Sequence, residues 1–145
     1  MQRTALVAVF SASMLATWVG TVVTGSGPHA GDADAVRTGL NIESIARLHG
    51  LSAWLTVGLT LVCLYLFRAH PRLRRMTALL LAAVLLQGAI GYLQYFLGIP
   101  AGIVALHMVG LTLLTAAASW PLVTTSRSTH VDQPGADASA AVHTS

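Results

Sequence analysis

Residues 48–75 read LHGLSAWLTVGLTLVCLYLFRAHPRLRR. The first twenty, 48–67, contain no Asp, Glu, Lys or Arg. At about 1.5 Å of rise per residue, twenty apolar residues span about 30 Å, the thickness of a bilayer's hydrocarbon core. The last eight, 68–75, carry Arg68, Arg72, Arg74 and Arg75 and no acid. A short basic segment directly after an apolar run marks the cytoplasmic side of a membrane crossing. This stretch therefore predicts a transmembrane helix running from outside to inside, and it orients every other element of the chain.

The composition agrees. Of 145 residues, 54% are hydrophobic and 9% charged, whereas a soluble domain carries about 25% charged residues. The net charge of +3 comes from arginine alone, since the chain has no lysine. No basic run is interleaved with aromatics, which argues against nucleic acid as a partner and leaves membrane lipid. Cys63 is the only cysteine, so an internal disulfide is excluded, and its apolar surroundings read as those of a buried structural thiol.

Working outward, residues 4–24 are uncharged after Arg3 and long enough to cross; they read as a retained span, not a cleaved signal. Thr17, Thr21 and Thr24 recur there at helical spacing beside Gly20, a stripe suited to close helix contact. The segment GSGPHAGDADAVRTGLN, 25–41, is broken by glycine and proline and made aqueous by Asp32, Asp34 and Arg37. Further spans are expected over about 42–67, 76–97 and 101–123, with Gly98 and Pro100 forming a tight turn and Pro121 a candidate helix end. The expected fold is an all-α membrane protein, an antiparallel four-transmembrane-helix bundle with both termini inside. It occupies residues 1–123 as one domain in a bacterial plasma membrane. The Ser, Thr, Ala and Asp-rich residues 124–145 are expected to be a disordered cytoplasmic tail, with His130 and His143 solvated in it.

Two histidines stand out. The second and fourth spans both run inward, so they are parallel. His49 lies 19 residues above Arg68 and His107 lies 20 above Arg127. Both are therefore about 28–30 Å above the inner surface. Ionisable residues at membrane depth are rare and usually functional. Zinc asks for four protein ligands, or three and a water, and no third His, Cys, Asp or Glu shares this depth. Haem iron needs only one or two axial ligands beyond its porphyrin, so a bare histidine pair favours haem. Gly50 and Ala53 near His49, and Gly110 near His107, are expected to leave a slot for a flat macrocycle. The plainer alternative is two core histidines bonded to carbonyls.

In the third span, Gln87, Gly91 and Gln94 fall at i, i+4 and i+7, with Gly88 beside them and Gln94 level with the histidines. This stripe is expected to face the bundle interior, either toward a cofactor or in plain helix packing. Arg47, one turn outside His49, is either a partner for haem propionates or an interfacial snorkelling arginine. His29, in the glycine-rich loop, is a weaker cofactor candidate, because such loops can bind a carboxylate through backbone N–H groups. His70 needs no functional explanation.

The motifs VVTGSGPHAGD, ARLHG, QGAIGYLQYFLGIP and ALHMVG, in this order, resemble those of the heme A synthase family over nearly all of residues 3–123. Members of that family typically have eight transmembrane helices in two similar halves, and this chain resembles the second. The resemblance implies that His49 and His107 are axial ligands of a haem b. It also implies an activity, oxidation of a haem O methyl group to the formyl of haem A with oxygen from water.

The chain departs from the family's substrate-binding first half. That half has a glutamate three residues before its first histidine, where this chain has Ala46; Glu43 lies six residues before His49. The first half's pair of loop cysteines is missing too. The expectation is a cofactor half that needs a first-half protein for turnover; a second copy of itself would supply a second haem site but not the carboxylate. The other readings are a non-catalytic b-type cytochrome or electron-transfer module, and a truncated or split gene product.

Overall fold

A computed structural model describes residues 2–27 and 39–131, the side chains of 126–131 excepted. The described residues form four helices: α1 (Gln2–Ser26), α2 (Ile42–Leu66), α3 (Pro71–Phe96) and α4 (Ala101–Val131). All four are long and apolar enough to cross a membrane. Consecutive helices pack side by side and α4 returns to α1, so α2 and α4 face each other across the diagonal. This is the antiparallel four-helix bundle the sequence implies.

Local chemistry explains the ends. Asn41 caps α2, its side-chain oxygen accepting from the Ser44 N–H at 2.9 Å, with Glu43 in the first turn against the helix dipole. Pro71 opens α3 at a position where its missing N–H has no cost. The third helix thus begins five residues before the expected position 76. Arg72, Arg74 and Arg75 form its exposed first turns, because arginine is a good helix former and charge alone does not stop a helix. The Gln2 amide donates to His70 Nε2 at 2.9 Å, tying the start of α1 to this turn. At the other end, α3 stops in a left-handed pair, Gly98 (φ 73°) and Ile99 (φ 62°). The Ile99 N–H bonds to the Gln94 carbonyl at 2.8 Å, the closing bond of a Schellman motif.

The fourth helix does not end at Pro121 or at residue 123, as expected; it is helical to Val131. Pro121 is fully buried, and Thr124 and Thr125 hydroxyls donate to its carbonyl. A proline inside a membrane helix is tolerated where neighbouring helices pack around it. Residues 132–145 of the expected tail lie outside the described residues.

The largest packed cluster lies at one end of the bundle. Leu6, Val9, Cys63, Phe67, Leu80, Val84, Leu114 and Ala118 form it, all toward the α2–α3 turn. The Cys63 thiol donates to the Ala5 carbonyl at 3.6 Å, as befits a structural thiol. Buried Ser13, Thr56, Thr60 and Thr77 hand their hydroxyl protons to carbonyls four residues earlier in their own helices, so none of these four hydroxyls is stranded in the hydrocarbon layer. The outward faces carry Leu51, Leu79, Leu113 and Val109, as a lipid-facing surface requires. Toward the other end, Ala16, Val19 and Val104 remain buried, and histidine, glutamine and glycine lie among them.

Candidate functional site

His49 and His107 meet. Their ring centroids are 6.4 Å apart and their planes nearly perpendicular, at 87°. The rings come from helices that are diagonal in the bundle, so they close the gap between α2 and α4, beyond the Leu6–Ala118 cluster and level with buried Ala16 and Val19. The depth count predicted a common level; the backbone packing supplies the facing directions.

Each ring lies against a glycine of a neighbouring helix. A Cβ on Gly20 of α1 would stand 3.0 Å from His49 Cε1 and 3.3 Å from its Nδ1. A Cβ on Gly91 of α3 would stand 3.3 Å from His107 Cε1. Gly20 had appeared only as a small residue beside a threonine stripe. In the structure Thr21 bonds to the Trp18 carbonyl and Thr24 to the Gly20 carbonyl of their own helix, while Gly20 admits the imidazole.

That close approach carries a hydrogen bond. The His49 Nδ1–H donates to the Ala16 carbonyl oxygen at 3.0 Å. A carbonyl can only accept, so Nδ1 holds the proton and the lone pair sits on Nε2. This is the usual arrangement behind a metal-ligating histidine, whose second nitrogen bonds to a carbonyl or carboxylate. His107 differs, because its Nδ1 is buried without a partner.

The glutamine stripe does face inward. Gln87 Oε1 and Gln94 Oε1 are both buried and lack a donor, as does Thr17 Oγ1. The role expected of Gly110 is corrected: a Cβ there would overlap the Gln87 amide, standing 2.7 Å from its Cδ. The missing side chain makes room for a glutamine, not for a macrocycle. Gly50 and Gly88 have nothing within 4 Å of a built Cβ. Gln94 also lines a cavity of about 40 Å³ between the helix ends, with Thr24, Ile42 and Val104 among its walls.

Arg47 is not aimed at the pair. It forms an i,i+4 ion pair with Glu43, and the two side chains are 75% and 57% exposed. The snorkelling reading therefore fits better than a contact with the interior. Ala46 is half-buried and offers no polar group. His29 and His143 lie outside the described residues, as does the His130 side chain.

Among the described residues no group of three His, Cys, Asp or Glu converges on one point, so the donor set is two imidazoles. With metal–nitrogen bonds of about 2.0–2.1 Å and a ring centroid about 1.1 Å behind each nitrogen, a shared metal asks for centroids about 6.3 Å apart. The observed 6.4 Å fits. No family model matches the chain, and no curated protein or solved structure matches it.

Proposed function

We propose that this chain binds a haem b through His49 and His107, as a heme A synthase-type membrane protein corresponding to that family's cofactor half. The observation that carries the reading is the facing pair: two imidazoles 6.4 Å apart at the same bundle level. Two half-buried histidines bonded to carbonyls is the plainer account. It covers Nδ1 of His49 only and leaves the buried His107 Nδ1 without a partner.

A haem held this way would accept and release single electrons. The chain's own contribution is to position. Gly20 and the Ala16 carbonyl orient His49, Gly91 seats His107, and the lipid-facing leucines keep bulk water from the bundle. In a complete heme A synthase, such a haem would carry electrons away from a substrate haem O held by a first-half protein or a second copy. The exposed arginines Arg3, Arg68, Arg72, Arg74 and Arg75 gather at one end, supporting a plasma-membrane orientation with both termini inside.

One observation favours a simpler electron-transfer role for the chain acting alone. Methyl oxidation calls for a positioned carboxylate or equivalent base. Glu43, the only carboxylate among the described residues, is at the surface paired with Arg47.

Reduced-minus-oxidised optical spectra of the detergent-purified protein test the proposal. The expected result is a low-spin b-type spectrum, lost in both His49→Ala and His107→Ala and retained in His70→Ala. An unchanged low-spin spectrum in both of the first two variants would overturn the ligand assignment.

A further inference from the structure

We infer that the two imidazoles are held unequally, with His49 the fixed ligand and His107 the displaceable one, so that a small neutral ligand can enter on the His107 side. This rests on the haem reading above.

The His49 ring is pinned twice. Gly20 lets it lie on α1, and the Ala16 carbonyl takes its Nδ1 proton at 3.0 Å. One tautomer is selected, the lone pair is on Nε2, and the ring plane is set before any metal arrives. Such second-nitrogen partners orient a ligating histidine and raise its basicity, and losing them typically costs 10–100-fold in metal affinity.

His107 has the glycine seat without the second hold. Its buried Nδ1 has no partner, so neither its tautomer nor its plane is chosen by a hydrogen bond. Moving this ring breaks no protein hydrogen bond.

A released His107 would also find polar partners nearby. Gln87 and Gln94 lie one turn to either side of Gly91, against which the His107 ring rests, and both have buried amide oxygens without donors. A buried acceptor left unsatisfied is costly, so a ring N–H swinging toward either oxygen relieves that cost. The exchange is a ligand substitution. With haem bound, the iron–Nε2 bond of His107 would break as a bond to the incoming ligand formed, with no electron transferred.

The test uses the detergent-purified chain loaded with haem b, reduced, with carbon monoxide as probe. His107→Ala should retain haem as a five-coordinate high-spin species that binds carbon monoxide. His49→Ala should retain haem at least tenfold more weakly. In the wild type, carbon monoxide should bind slowly, and the Gln87→Ala, Gln94→Ala double variant should lower its apparent affinity. Equal haem retention by the two histidine variants, or stronger retention by His49→Ala, overturns the inference while leaving the haem reading intact. A wild-type chain that binds no haem overturns both. Because a variant can fail for lack of folding, ¹⁵N NMR of the haem-free wild type gives a second measure. His49 should show one Nδ1–H tautomer and His107 a mixture; a single fixed tautomer for both refutes the asymmetry.

Discussion

Phe67→Ala is the sharpest test of where the core lies. Phe67 is 0% exposed, closes α2, and packs within the cluster of Leu6, Val9, Cys63, Leu80 and Val84. Its backbone N–H bonds to the Cys63 carbonyl, which the substitution leaves in place. In a soluble protein such a truncation costs about 3–5 kcal/mol, a transfer part plus a cavity part. Here the separated helices would still sit in hydrocarbon, which is as apolar as the bundle interior, so the transfer part largely vanishes. What remains is a cavity of about 100 Å³ at about 24 cal/mol per Å³, or about 2.4 kcal/mol. The matched control is Phe96→Ala. Phe96 is 77% exposed and touches only Tyr92 and Tyr95 among aromatic rings, so its loss should cost about 0.5–1 kcal/mol. Reversible unfolding in mixed micelles, followed by helical circular dichroism, should show a gap of about 1.5 kcal/mol between the two variants. Equal costs, or a larger cost at Phe96, would refute the placement of the core.

Three further outcomes are expected. Gly110→Ala should be neutral to destabilising by about 2 kcal/mol in the wild type, where it collides with Gln87, yet stabilising by about 0.5–1 kcal/mol on a Gln87→Ala background, where only the helix propensity of alanine is felt; an effect of the same sign and size in both backgrounds breaks the assignment. Ala69→Cys, with Cys63 replaced by alanine, should react with an impermeant thiol reagent only from the cytoplasmic side, since Ala69 sits exposed in the arginine turn; labelling of intact cells from outside would invert the topology. The purified chain should bind haem b and yet form no haem A from haem O, and haem A formation that disappears in Glu43→Gln would instead make Glu43 catalytic.

How much of this was legible beforehand follows from what each signal depends on. Four spans, their alternation and the shared depth of His49 and His107 depend on counts along the chain. A helix rises a constant amount per residue, hydrocarbon excludes charge, and arginine marks an end, so one-dimensional information suffices. The inward stripe of Gln87, Gly91 and Gln94 was readable for the same reason. The helix ends were read less well, because Pro71 and Pro121 carry opposite meanings in different company: the first opens α3 inside the arginine segment, and the second is absorbed within α4.

Contacts between helices were not written in the chain order. Each residue turns the side chain about 100° around its helix axis, so the partner of a glycine is decided by how two helices are rotated against each other, which spacing within either one does not state. Gly20 and Gly91 became the seats of the two imidazoles, while Gly110, expected to clear space for a macrocycle, accommodates Gln87 instead. The same rotation put the Ala16 carbonyl on His49 Nδ1 and left His107 Nδ1 alone. The sequence by itself determined that two histidines share one level of a membrane bundle. Only the tertiary structure decided that they face each other across its diagonal and that one is held more firmly than the other, because helix rotation is settled by packing and not by the pattern of any single helix.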